Sequence, residues 1–445
     1  MTYRPALDGL RAIAVVSVML FHLDRELLPG GITGVDIFFV ISGYLITSIV
    51  IRDFDKERFS FARFYQRRIS RISPLFFLVS ITIFAVTAML YQDYDFALVG
   101  SSLAAAAVSL ANMQFVFLPG EFEELPFVHY WSLSIEEQYY LIFPLILFLA
   151  DRYRGSRKSL SIFLSIAALL SFIACIVLTE VDSEWAFFLL PTRAWELLAG
   201  CILAVLPFSS KGDNGSSISN KRIDALLASA GLVVIIASQF MIHDDTGFPG
   251  WIVAFPVFGT VLVIGRPQES RTGVTERLLS HPVAVVIGKA SYSLYLWHWP
   301  VYAIVDYALI TMPYASLLIL KIVLTVTLSV ASYNWVEKPV RSSLNRPERQ
   351  RLSYLLFTAG TVVMLVTGYW ARSTYSVNAS LGSTRKAEVA FNEHNLAPQR
   401  LLAGDSNESM DGVGRNEIAR ARPVNRHVPG VSDHDSLPDS KLDKE

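Results

Sequence analysis

Charge is what this sequence has little of. Only 17% of its 445 residues are Asp, Glu, Lys or Arg, against 52% hydrophobic, and the formal net charge is −1. A balance so close to zero gives no electrostatic signal for nucleic acid, and none is expected as a partner. Cysteine is scarcer still. Cys175 and Cys201 both fall in apolar runs, which excludes a disulfide framework and any cysteine-based metal spacing, and no metal is expected. No small-residue cleavage site follows the first apolar run, so that run reads as a retained signal anchor. No internal repeat of 20 to 50 residues is visible, nor an inverted one of the kind many transporters carry.

Long apolar runs are present in abundance. Twelve candidates occupy roughly 8–23, 34–51, 73–91, 96–117, 131–150, 159–179, 187–207, 223–241, 249–265, 283–310, 315–336 and 352–371. The class is therefore an all-α polytopic helical membrane protein. Segment 52–72 holds Arg52, Lys56, Arg58, Arg63, Arg67, Arg68 and Arg71, and segment 151–158 holds Arg152, Arg154, Arg157 and Lys158. Both should be cytoplasmic by the positive-inside rule. Three candidates lie between them, an odd number, so one must fail to cross. The run 96–117, rich in Ser and Ala, is the expected exception, as a re-entrant or protein-buried helix. Eleven crossings remain, with the N-terminus cytoplasmic and the tail extracytoplasmic.

Four stretches carry ionisable groups where lipid would penalise them. In the first, Arg11 and His22 are eleven residues apart, about three helical turns and about 16 Å along one face, with Asp8 nearby. In the second, GVDIFFVISGYLIT at 34–47, Asp36 opens a helix beside the end of the first, placed to orient His22 as a base; helix capping is the alternative. Ser42 and Gly43 there point to close helix packing. The third, RFYQRRISRISP at 63–74, is an amphipathic helix. With Arg63 at zero, Arg67 and Arg71 fall near 40° and 80°, while Arg68 falls near 140°, toward the apolar side. Such arginines suit a phosphate-rich ligand or anchor to anionic lipid. The fourth, HYWSLSIEEQYYLIFP at 129–144, sets Glu136 and Glu137 among aromatics, an arrangement shared by sugar sites and interfacial belts. RAWE at 193–196 reads as a buried pair of Arg193 and Glu196, and GKASYSLYLWHWP at 288–300 adds Lys289 and His298.

Taken together, LDGLR at 7–11 with His22, GVDIFFVISGY at 34–44, RRISRISP at 67–74, HYWSLSIEEQYY at 129–140 and SYSLYLWHWP at 291–300 resemble the acyltransferase family 3 membrane proteins of bacteria. Members O-acylate lipopolysaccharide, peptidoglycan and other surface glycans. The resemblance implies a core of about ten helices in the cytoplasmic (inner) membrane, over residues 1–341. It implies acyl-CoA, with acetyl-CoA the expected kind, as a donor substrate, with no tightly bound cofactor, and a lipid-linked or cell-wall glycan as acceptor. Donor binding would fall to Arg11, Arg67, Arg68 and Arg71. Catalysis would fall to His22 with Asp36 and Glu137, and acceptor binding to His129, Trp131, Ser132 and Glu136. Residues 342–371 look like the extra helix of members fused to an SGNH hydrolase-like domain. In the polar tail, 372–445, LLAGDS at 401–406 looks like the first block of that domain, with Asn407 where His is common. The residues after it are too few for such a domain, so Ser406 is not expected to act, and the expectation is a truncated member with a largely disordered tail. The rival functions are a transporter of glycans or small molecules, and an inactive remnant.

Overall fold

The computed structural model describes residues 3–117, 125–152, 156–206, 221–243, 247–266 and 273–375, and every regular element in them is helical. Ser406 and the 401–406 block lie outside the described residues, as does nearly all of the polar tail. Nine helical segments among the described residues are long and apolar enough to cross a membrane. The chain is thus a multi-pass helical membrane protein.

Of the eleven expected crossings, two depart from that measure for identifiable reasons. Within 249–265 the apolar helix runs only Trp251–Ile264. Within 283–310 the helix breaks at Ala290 into α13 (Pro282–Lys289) and α14 (Ser291–Ala308). The buried residues of α14 include Ser291, Ser293 and His298, so its interior is polar and its hydropathy falls. The run 96–117 is also broken. There α4 (Asp93–Ala107) stops at Val108, Ser109 turns left-handed with φ 58°, and α5 (Ala111–Phe117) begins anew. Fifteen residues of α4 span about 22 Å, short of a hydrocarbon core of about 30 Å.

The centre is built on α1 (Pro5–Leu23), α2 (Gly34–Asp55) and α9 (Leu190–Val205). Helices α2 and α9 touch backbone to backbone. A Cβ on Gly43 would lie 1.9 Å from the Leu197 carbonyl oxygen, and one on Gly200 would lie 2.1 Å from that of Val40. Only hydrogen fits at either position, the small-residue packing that lets membrane helices approach. This seam seals a buried ion cluster. Arg193 on α9 donates to Glu196 at 2.6 Å and also bonds Asp36 on α2, with all three side chains essentially unexposed. Phe39, Trp131, Phe187 and Phe248 surround the guanidinium at 5.4 to 5.9 Å. The Arg193–Glu196 pair is as the sequence suggests.

Asp36 is not where it was expected: it turns to Arg193 across the seam and leaves His22 to another partner. The physical reason is charge. A carboxylate buried among aromatics needs a cation, and Arg193 is the one that pairs with it among the described residues.

Helix α3 (Phe61–Leu90) starts at an N-cap, Ser60, and carries the arginine run. Helix α6 (Tyr130–Arg152) lies against α2, and α15 (Tyr314–Ser332) against α14. The last helix, α17 (Pro347–Tyr375), follows the short α16 (Lys338–Leu344) and docks on α4 through Gly368 and Gly100.

Candidate functional site

A cavity of about 100 Å³ opens between α1, α2, α3, α6 and α14. Each wall is one stripe of a helix. Ser132, Glu136 and Tyr140 follow at four-residue intervals on α6, and Arg68, Arg71 and Ile72 share a face of α3. Phe38, Ser42 and Leu45 come from α2, Ser291, Tyr292 and Tyr295 from α14, and Arg11 from α1.

Three guanidinium groups, those of Arg11, Arg68 and Arg71, reach this cavity. Arg11 has Asp8 at 3.7 Å. For Arg68 and Arg71 no carboxylate stands within ion-pair distance among the described residues. Arg68 instead lies over the Tyr140 ring, 5.7 Å from its centroid, and its Nε is buried without a hydrogen-bond partner among the described residues. Arg71 is within electrostatic reach of Arg11, Arg68 and the exposed Arg341. Glu136 is committed to the protein: Ser42 donates to one of its oxygens at 2.8 Å and Tyr140 to the other at 3.1 Å. Glu337, also buried, is a further carboxylate within electrostatic reach of Arg71 and Arg11, so groups of both signs meet at this end.

Arg67 parts from its neighbours. It bonds Asp53 at 3.1 Å, where Arg58 at 3.3 Å and Arg52 at 3.4 Å share the same carboxylate, and it does not line the cavity.

At the other end stands Tyr295. Its hydroxyl donates to the His129 carbonyl at 2.9 Å, and Ser132 lies 2.5 Å from it. One edge of the ring lines the cavity; beyond it are His298 and His129, with centroids at 5.3 and 5.5 Å. His22 joins this group, with Nδ1 3.2 Å from Nε2 of His298 and its ring 4.8 Å from that of Trp299. His129 is 2% exposed, and neither ring nitrogen has a well-formed hydrogen bond among the described residues. No group of His, Cys, Asp and Glu among the described residues has the geometry to hold a metal.

The candidates named from the sequence thus separate. Arg11, Arg68, Arg71, Ser132 and Glu136 share the cavity, while His22 and His129 share the histidine cluster behind Tyr295. Trp131 packs in the cage around Arg193, and Arg67 and Asp36 are held by partners of opposite charge. Glu137 does not line the cavity, and its Oε1 is buried without a hydrogen-bond partner among the described residues. Tyr295, Ser42 and Tyr140 went unassigned. The four-residue spacing of Ser132, Glu136 and Tyr140 is a signal for the last of these; the reach from Tyr295 to Ser132 has none.

Residues 4–334 match the family described as Acyltransferase domain. The chain is similar to the O-acetyltransferase OatA of Staphylococcus aureus strain NCTC 8325 / PS 47, 32% identical over 357 residues, which cover 76% of this chain and 57% of that protein. It is also similar to a putative O-acetyltransferase of Staphylococcus aureus strain MRSA252, 33% identical over 370 residues, covering 80% of this chain and 60% of the other. The matched regions span well under two thirds of these curated relatives. No solved structure matches the chain.

Proposed function

The chain belongs to the acyltransferase 3 family, and from that premise we propose that it is a membrane O-acyltransferase moving an acetyl group from acyl-CoA to a hydroxyl of a surface glycan. The curated relatives with assigned or putative O-acetyltransferase names support the acetyl group. The observation that carries the donor site is the convergence of Arg11, Arg68 and Arg71 on one cavity, two of them with no carboxylate within ion-pair distance among the described residues. Guanidinium forks in a partly dry cavity are matched to phosphate oxygens. Acyl-CoA supplies those phosphates, bound as a substrate from the cytoplasmic side of the inner membrane. Arg67, tied to Asp53, contributes charge at the mouth rather than a contact.

His22 is the base in this reading. The acceptor hydroxyl gives its proton to the imidazole as its oxygen attacks the thioester carbonyl. The C–O bond forms, the C–S bond breaks, and the proton passes to the departing thiolate. Ser132, on the cavity wall, and His129, next to Tyr295, are the groups assigned to the sugar's hydroxyls. Asp36 and Trp131 support the scaffold, and Glu137 has no assigned step.

The test is transfer of labelled acetyl from acetyl-CoA to a glycan acceptor by the purified chain. Wild type is expected to transfer label, and His22→Ala to lose at least about 100-fold, the lower range for a general base. Near-normal turnover by His22→Ala, with correct membrane insertion, would remove His22 from the mechanism. No transfer by the wild type, together with flux of glycan across vesicles, would favour a transporter.

A further inference from the structure

His298 is fully buried in the middle of α14, with no role in the steps above. Its ring is held on several sides, by Tyr302 at 5.9 Å, Tyr295 at 5.3 Å and His129 at 5.6 Å between centroids. Its Nδ1 lies 2.6 Å from the backbone carbonyl oxygen of Tyr295. A carbonyl oxygen only accepts, so Nδ1 must carry the hydrogen. In a neutral imidazole the other nitrogen is then a bare acceptor. That nitrogen, Nε2, is 3.2 Å from Nδ1 of His22. Two acceptors do not hydrogen-bond, so the proton between them belongs to His22 Nδ1. With both rings neutral, the Tyr295 carbonyl acting through His298 therefore places the lone pair of His22 on Nε2, the nitrogen turned away from His298, with the Val18 carbonyl of its own helix also in reach of the imidazole.

We propose that His298 is a positioning residue that locks His22 in the Nδ1–H tautomer and so presents Nε2 as the base. It rests on the reading of His22 as the base and adds which nitrogen acts and why. The hydrogen bond made by one ring nitrogen sets the chemistry of the other. The T-shaped contacts of His22 with Phe21 at 5.1 Å and Trp299 at 4.8 Å fix the ring plane, so the lone pair is fixed in direction as well. When Nε2 accepts the hydroxyl proton, His22 becomes a cation, and its Nδ1–H bond to His298 becomes charge-assisted and stronger. The support grows as the proton moves, then relaxes as the thiolate takes it.

The direct test is ¹⁵N NMR of histidine-labelled full-length protein in lipid, with the His22 signals assigned by their loss in His22→Gln. Wild-type His22 is expected to show a protonated Nδ1 and a bare Nε2. In His298→Phe, which keeps a ring but no acceptor, that preference is expected to be lost, with kcat down at least about 100-fold and KM for acetyl-CoA unchanged. His298→Gln offers an amide oxygen near the Nε2 position and is expected to restore turnover to within about 10-fold of wild type, as general-base positioning requires. A bare Nδ1 on wild-type His22 overturns the proposal, even if neither variant folds. Equal turnover in the Phe and Gln variants, with His22 unchanged in tautomer, also overturns it. An active His22→Ala would instead sink the reading of His22 as base, while the tautomer of His22 is still measured in the wild type.

Discussion

Arg67 and Arg68 are adjacent in sequence and opposite in fate. One hundred degrees of helix rotation sends Arg67 to Asp53 and Arg68 into the cavity. That separation was legible, because Arg68 alone of the run points to the apolar side of the wheel. If Arg68 grips a donor phosphate, lysine loses the planar fork and one of two parallel hydrogen bonds. A charged hydrogen bond contributes about 1.5–3 kcal/mol, or roughly one to two orders of magnitude in binding. Arg68→Lys is expected to raise the KM for acetyl-CoA at least several-fold, read by steady-state kinetics at fixed acceptor. Arg63, which donates to Gln66 at 2.6 Å away from the cavity, should tolerate lysine with little change. Equal effects at the two positions would return the run to lipid anchoring. Asp36 shows the limit of sequence at this scale. Its neighbour along the chain suggested His22, but its partner, Arg193, is 157 positions away, and no spacing or wheel contains that distance.

At the scale of elements, the α2–α9 seam backs one wall of the cavity, the one that α2 supplies. Ser42 and Gly43 sit side by side on α2 and face different neighbours: Ser42 lines the cavity and donates to Glu136, while Gly43 lies against the backbone of α9. The pair was legible as a packing signal, and the cavity role of Ser42 was hidden by it. Gly43→Leu would force the two backbones apart. Overpacking costs about 1–3 kcal/mol and occasionally more, and it is expected here to lower the thermal midpoint, measured by loss of monodisperse protein on heating. Gly247, whose Cβ would meet nothing within 4 Å, marks the contrast, since crowding plays no part there. Loop charge on either side singled out the small polar run 96–117 as the one expected not to cross, and the break between α4 and α5 falls inside it. The break at Ala290 was not legible. A polar buried face looks, in one dimension, the same as a helix of average hydropathy, and only its neighbours explain why it is tolerated: Ser293 donates to Glu337, beyond the end of α15, and His298 meets His22 on α1.

For the whole molecule, the proposed orientation gives a test that needs no substrate. The native thiols, Cys175 and Cys201, are both buried, so an engineered surface cysteine is read against a quiet background. Cysteine in place of Leu27 or Gly120 is expected to react with an impermeant reagent from outside, and in place of Glu57 only after the membrane is opened. Reaction at position 120 only from inside would mean that 96–117 crosses. The cavity itself has a bearing on the membrane that holds it. A recess lined by arginines among membrane-spanning helices would, if it admits water, thin the insulating layer, and Tyr295, pinned by its hydroxyl to the His129 carbonyl and Ser132, stands among its lining residues. Such a phenol would act as a stopper in the electrical sense, which a leak measurement tests. Tyr295→Ala in sealed vesicles is expected to speed the decay of an imposed ion gradient, and an unchanged decay would show that the insulation lies elsewhere.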